Sequence, residues 1–311
     1  MTTRHSPRPV VAGVDGSTSS IRAVGWAARQ AALWSVPLRL VHAHVWPLVH
    51  EPSLAGLSGH NLQALLNLGY DWLRQAADAA VAAAPEIHVT TELVTATAAQ
   101  LLVEESEQAR LVVVGSRGLG GFTGLLVGST AVALGARARC PVAVVRTSGE
   151  DQEPPRSGPV VLGVNGSPAN DAAIAFGYEA AALRRVPMVA VHAWTDITSQ
   201  PSFLPPLDHD WPVIADDERR LLAERLAGWQ QKYPDVQVDR VVTEGRPAHS
   251  LLQAAKGAQL VVVGTRGRGG VRGLLLGSTS HALLHHAPCP VIVARPDPPT
   301  EASAVIRSSS P

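Results

Sequence analysis

The chain has 311 residues, 46 % of them apolar and 17 % charged, with 26 basic and 26 acidic side chains and a formal net charge of zero. That length suits two domains with a buried core each, and the even charge offers no basic patch to nucleic acid or to an anionic membrane. No apolar stretch is long enough to span a bilayer and the amino-terminal MTTRHSPRPVVAGVDGS has no signal-peptide core, so cytoplasmic residence is the expectation.

Along the chain, apolar runs at 10–14, 38–45, 87–94, 111–114 and 142–145 predict buried strands, and helical spacing at 18–34, 60–83, 97–108 and 129–138 fills the intervals. The segment RTSGEDQEPPRSGP at 146–159 has the composition of a linker. Beyond it the order returns, with strands at 160–164, 188–194, 236–243, 260–263 and 291–294, and the tail PDPPTEASAVIRSSSP has the composition of a disordered end. The second half copies the first: residues 110–146 and 259–295 agree at 23 of 37 positions without gaps, and VVAGVDGS at 10–17 answers VVLGVNGS at 160–167. A repeat of this length is a domain, with expected boundaries 1–150 and 151–311. Strands alternating with helices imply right-handed crossovers. Each half is therefore predicted to be α/β, an open, doubly wound, five-stranded parallel sheet of Rossmann-like type, with ligands outside the carboxyl ends of its strands.

The loop after the fourth strand carries the chemistry. In VVVGSRGLGGFTGLLVGST, Gly115 and Gly118 are expected to adopt backbone angles closed to other residues, and Gly128, Ser129 and Thr130 to head the next helix. Amides and hydroxyls then converge where the helix terminus adds partial positive charge, worth about 0.3–1 kcal/mol to an anion, and each hydrogen bond to phosphate adds about 1.5–3 kcal/mol. A phosphate chain fits such a place, whereas a lone glycine-rich loop more often serves a turn; the near copy VVVGTRGRGGVRGLLLGST lowers the weight of that alternative. There is no GxxxxGK[ST], and GxGxxG fails because Thr123 and Arg272 stand at its sixth position. At the end of the first strand Asp15 can accept from ribose hydroxyls or can simply start a helix, and its counterpart is the uncharged Asn165.

These residues resemble the universal stress proteins of the ATP-binding type, in tandem form. The family's G-x-x-G, nine residues, G-[ST] is present as Gly115, Gly118, Gly128, Ser129 and again as Gly264, Gly267, Gly277, Ser278. The resemblance implies ATP, with magnesium as its companion ion, lying across the strand ends. The phosphates would meet the glycine loops, Arg117 and Thr130 in one half and Arg266 and Thr279 in the other. The nucleoside would meet Gly13, Val14, Asp15 and Ala43, and by match Gly163, Val164, Asn165 and Ala193. Arg266, Arg268 and Arg272 favour the second loop by charge and Asp15 favours the first site, so unequal affinities are expected. The role it implies is a nucleotide-dependent switch in a stress response; slow ATP hydrolysis or autophosphorylation and a cyclic-nucleotide sink are the alternatives.

Few acid–base groups repeat near the loops. His281 and His285 have the helical spacing of metal ligands, but no third ligand is evident and the first half has Val132 and Ala136 there, so no metal is assigned. His42 and His192 read as satisfied strand-end histidines, close to the nucleotide because each precedes an alanine of the site. Trp26, Trp72 and Trp229 read as core or interface anchors. Cys140 and Cys289 share a CPV context and so lie far apart, as buried core residues and not a disulfide. The last strands, VAVVR and VIVAR, are apolar edges that need covering. The resemblance implies that they pair with another unit, within the chain or in a homodimer; the sequence names no downstream partner.

Overall fold

The structure, a computed structural model, describes residues 7–45, 59–118, 127–146, 152–194, 211–265 and 276–295. In the first half β1 (Val10–Gly13), α1 (Thr18–Trp34), β2 (Leu38–His44), α2 (Gly59–Ala83), β3 (Val89–Thr95), α3 (Ala98–Glu105), β4 (Leu111–Gly115), α4 (Ser129–Arg137) and β5 (Val142–Val145) alternate as predicted. The second half repeats them as β6 (Val160–Gly163), α5 (Asp171–Arg184), β7 (Met188–Trp194), α6 (Trp211–Lys232), β8 (Val238–Glu244), α7 (Pro247–Ala254), β9 (Leu260–Gly264), α8 (Ser278–His286) and β10 (Val291–Ala294).

The strands form a single ten-stranded sheet in the order β3-β2-β1-β4-β5-β10-β9-β6-β7-β8. Pairing is parallel within each half and antiparallel at the junction, where Val142, Ala143 and Val144 face Val293, Ile292 and Val291. The apolar ends of the two units thus cover each other inside one chain, which disposes of both exposed edges. The remaining edges, β3 and β8, are VTTELVT and VDRVVTE, whose charged and hydroxyl side chains suit an open edge.

Two buried layers flank the sheet. Leu111 and Val113 of β4 face the layer built with α1, α2, α5 and α6, while Val112 and Val114 face the layer of α3, α4, α7 and α8. Burial on both sides explains why LVVVG shows no polar alternation. Each layer runs across both halves without a break.

Several boundaries depart from the sequence reading by a few residues, among them the end of α3, which stops at Glu105 and not at 108. Ile87 and Val236 belong to the turns that close α2 and α6, with Ile87 N bonded to Ala84 O and Val236 N to Tyr233 O, so β3 and β8 begin two residues later than their apolar content suggests. Thr97 stands outside α3 as its cap, accepting from Gln100 N. The fourth strand extends one residue further, to Gly115. Cys140 and Cys289 are buried free thiols in the α4/α8 layer. Among the described residues no helix is long and apolar enough to cross a membrane.

Candidate functional site at the β1/β4 switch point

In the first half, β1 is flanked by β2 on one side and β4 on the other, and the connections leaving β1 and β4 run to opposite faces of the sheet. Such a switch point opens a crevice at the carboxyl ends of the two strands. A cavity of about 400 Å³ occupies it, within the size range of small-molecule sites. Its rim is made of Gly13, Val14 and Asp15 from the end of β1, Ala43 from β2, Gly115, Arg117 and Gly118 after β4, and Gly128, Ser129 and Thr130 at the start of α4. All ten first-half residues expected from the sequence are brought together.

The polar groups have defined geometry. Asp15 Oδ1 accepts from Ser17 N at 3.0 Å and from Ser17 Oγ at 2.6 Å. This closes a side-chain turn ahead of α1, whose N-cap is Ser17 and not Asp15. The carboxylate is thereby fixed at the cavity rim. In α4 the first helix-closing bond runs from Val132 N to Gly128 O at 3.3 Å, so the N–H groups of Ser129, Thr130 and Ala131 have no partner inside their own helix. They point where an anion is stabilised by the helix terminus. Gly128 N is used differently, donating to Ser116 O at 2.9 Å, which folds the end of the glycine loop back onto its beginning.

The glycines owe their place to close approach and not to unusual backbone angles. Neither Gly115 nor Gly118 has positive φ, a correction to the sequence expectation. A Cβ on Gly115 would stand 2.5 Å from Ser19 Oγ and 2.8 Å from the Ser19 carbonyl carbon, and one on Gly118 would overlap Asp15 Oδ2. The end of β4 therefore lies directly on the first turn of α1, and the loop after β4 on the loop after β1.

His42 occupies the opposite face of the sheet from Ala43 and does not line the cavity. Its Nδ1 donates to Val14 O at 2.7 Å, and its ring packs edge-on against Trp72. The same bond, 2.7 Å, joins His192 Nδ1 to Val164 O. Both histidines are the satisfied strand-end type, and His42 is linked to the site through the carbonyl of Val14 at its rim. Trp26 is buried in the core and Trp72 and Trp229 pack against it. The His281 and His285 rings lie 4.5 Å apart between centroids, tilted by 34°, and among the described residues no three His, Cys, Asp or Glu side chains group to hold a metal ion.

The second half repeats the frame. Asn165 Oδ1 accepts from Ser167 N at 2.9 Å and Ser167 Oγ at 2.8 Å, and Gly277 N donates to Thr265 O at 2.8 Å. Gly163, Val164, Asn165 and Ala193 lie at the ends of β6 and β7, Gly264 ends β9, and Ser278 and Thr279 open α8. Arg266 and Gly267 lie outside the described residues, as do Arg268 and Arg272.

The apolar wall of the first cavity was not singled out from the sequence: Val41, Ala98, Leu101, Leu102, Val114, Val127 and Ala131 line it. Its signal was available, since Ala98, Leu101 and Leu102 are one face of the helix that follows β3.

The sheet order and the switch-point cavity define a class: paired doubly wound α/β domains with a crevice suited to an anionic small molecule. The chain belongs to the universal stress protein family, whose model matches residues 7–146 and again 157–295. It is similar to Universal stress protein Rv2005c of Mycobacterium tuberculosis, 42 % identical with 92 % of this chain and 96 % of that protein covered. It is also similar to Universal stress protein Rv2623 of the same organism, 40 % identical over 95 % and 99 %. A solved universal stress protein from Archaeoglobus fulgidus shares the fold, at TM-score 0.68 and 17 % identity, over 93 % of this chain and 98 % of its own.

Proposed function

We propose that the protein binds adenine nucleotide, ATP foremost, at the β1/β4 switch point and uses the bound state to set its conformation or its affinity for a partner in a stress response. The observation that carries this reading is the convergence, on one cavity, of the α4 amino terminus, the glycine loop and a fixed carboxylate. The N–H groups without a partner in their own helix suit phosphate oxygens, Asp15 suits ribose hydroxyls as an acceptor, and the wall from α3 suits the apolar faces of a base. A magnesium ion would come with the phosphates, because the side chains lining the cavity supply one carboxylate and three hydroxyls and magnesium keeps most of its waters.

The second half is proposed as a weaker or differently selective site, since Asn165 replaces Asp15. The two units are proposed as domains meeting near residue 150. A homodimer would use surfaces other than β5 and β10, which already pair with each other.

Mass spectrometry of small molecules released from protein purified without added nucleotide tests the reading, together with calorimetry using ATP, ADP and cyclic AMP. Recovery of ATP or ADP is the expected result, and tighter binding of cyclic AMP than ATP would reassign the ligand. No released nucleotide and no heat of binding would refute the proposal and leave a scaffold role.

A further inference from the structure

Each half ends its last strand with an arginine, Arg146 directly after β5 and Arg295 directly after β10. Neither arginine serves its own half alone. Arg146 crosses the junction, donating from Nη1 to Leu284 O at 3.0 Å and from Nε to Ala287 O at 3.1 Å, and Arg295 donates from Nη2 to Gly135 O. These carbonyls lie at the carboxyl ends of α8 and α4, where the last carbonyls lack intrahelical donors and the helix dipole favours a cation. The opposite end of α4 is the terminus that lines the cavity, and Gly277 and Ser278 hold the equivalent place at the start of α8. At nine residues each, α4 and α8 are rods only about 13 Å long, so a displacement at one end is carried to the other.

The two helices also touch. A Cβ on Gly135 would stand 3.3 Å from Leu276 Cδ2 and 3.5 Å from Leu284 Cδ1. Gly135 in α4 is the hollow into which the second half's leucines fit, and the sequence position matching it in α8 is Leu284 itself. The crossed bonds thus clamp a packed contact, and Gly135 supplies both the hollow and the carbonyl.

We infer that Arg295 and Arg146 are positioning residues for the glycine-loop cradle of the half to which they do not belong: Arg295 sets α4 and Arg146 sets α8. This rests on the nucleotide reading of the cradles, and it makes each half necessary for the geometry of the other's site.

The test uses the full chain with one site filled by a bulky side chain, Ala193→Trp to leave the first cradle or Ala43→Trp to leave the second, and ATP as the calorimetric probe. Arg295→Met is expected to weaken the first cradle about tenfold and leave the second within about twofold; Arg146→Met is expected to do the reverse. Arg295→Lys and Arg146→Lys, which keep the charge and one donor, recover most of the loss. Amide exchange provides a readout without ligand: Arg295→Met speeds exchange at the end of α4 and not of α8, and Arg146→Met the opposite. Weakening confined to the arginine's own half, equal weakening of both sites, or no change in either overturns the inference. If the unaltered chain takes up no ATP while exchange remains crossed, the nucleotide reading fails and the arginines stand as positioning residues for the helix ends. Exchange that is not crossed refutes the clamp itself.

Discussion

The contact between Gly118 and Asp15 gives the sharpest prediction. In Gly118→Ala the new methyl would fall well under 3.0 Å from Asp15 Oδ2, so either the carboxylate or the loop must yield. The carboxylate cannot turn away at no cost, because Oδ1 holds Ser17 N and Ser17 Oγ at 3.0 and 2.6 Å. Bonds to a charged acceptor are worth about 1.5–3 kcal/mol each when buried. Asp15 is half-buried at the cavity rim, so the lower end applies, and losing one such bond or its counterpart to nucleotide weakens binding about tenfold. Calorimetric titration with ATP, with the second site filled by Ala193→Trp, reads this directly. The cause is isolated by a cycle with Asp15→Ala: once the carboxylate is gone the methyl meets no other atom of the described residues, so Gly118→Ala costs little further and the coupling is about 1 kcal/mol or more. Additive losses, or wild-type affinity in Gly118→Ala alone, refute the argument that this glycine exists for close approach to Asp15.

Asp15→Asn gives the first half the second half's residue and is expected to lower its affinity for ATP; in the unaltered chain a titration that fits two identical independent sites refutes the expected inequality. Leu134 of α4 is fully buried, and Leu134→Ala is expected to cost about 2–5 kcal/mol in urea unfolding, with a loss below 1 kcal/mol arguing against the described packing of that layer. Burial pushes the Cys289 thiol up to about 12, so the folded state holds this proton more tightly than the unfolded chain does. Its contribution to stability is complete below the unfolded thiol's value of about 8.5 and is lost as pH rises from there toward 12. Denaturant unfolding of Cys289→Ala at about pH 8 and about pH 10.5 should show a shallower decline than the unaltered chain.

Much of the fold was legible because the central strands are buried on both faces and α1 and α3 are capped by local residues. Runs such as LVVVG and VAVV have no other use in a protein of this composition, and Ser17 and Thr97 each accept a bond from the backbone N–H three residues on, Ser20 and Gln100 respectively. The first-half rim was legible for the same reason, since topology alone sends the ends of β1, β2 and β4 to one edge. What the sequence did not reveal was contact between distant loops. Nothing local to Gly115 or Gly118 says that Ser19 and Asp15 lie beneath them, and the expectation of special backbone angles arose from treating the glycines in isolation. The choice between pairing within and between chains was likewise hidden: VAVVR and VIVAR are equally good edges in either arrangement, and the linker permits both.

The duplication conserved the main-chain frame and let the chemistry diverge, which bears on whether two such sites do the same work. Val14 N and Val164 N each meet the strand alongside at 2.9 Å, and both histidine bonds measure 2.7 Å. Around that frame the side chains differ in kind. Where α2 presents Gly69 to His42, α6 presents Glu218, whose Oε2 lies 2.7 Å from His192 Nε2. Ala131 lines the first cavity, whereas Ser280 in its place donates to Gly264 O at 2.7 Å. The change at Asn165 is the most consequential. Its Oδ1 is taken by the turn with Ser167, as Asp15 Oδ1 is by Ser17. The other side-chain atom is a donor in the second half and an acceptor in the first. A ribose hydroxyl can donate to the carboxylate, but toward the amide it must act as acceptor, and a phosphate or carbonyl oxygen serves that donor better. The second site should therefore discriminate less sharply between nucleotides with and without a free 2′-hydroxyl. Competition between ATP and 2′-deoxy-ATP, measured separately at each cradle, checks this, and equal discrimination at the two would show that Asp15 does not read the sugar.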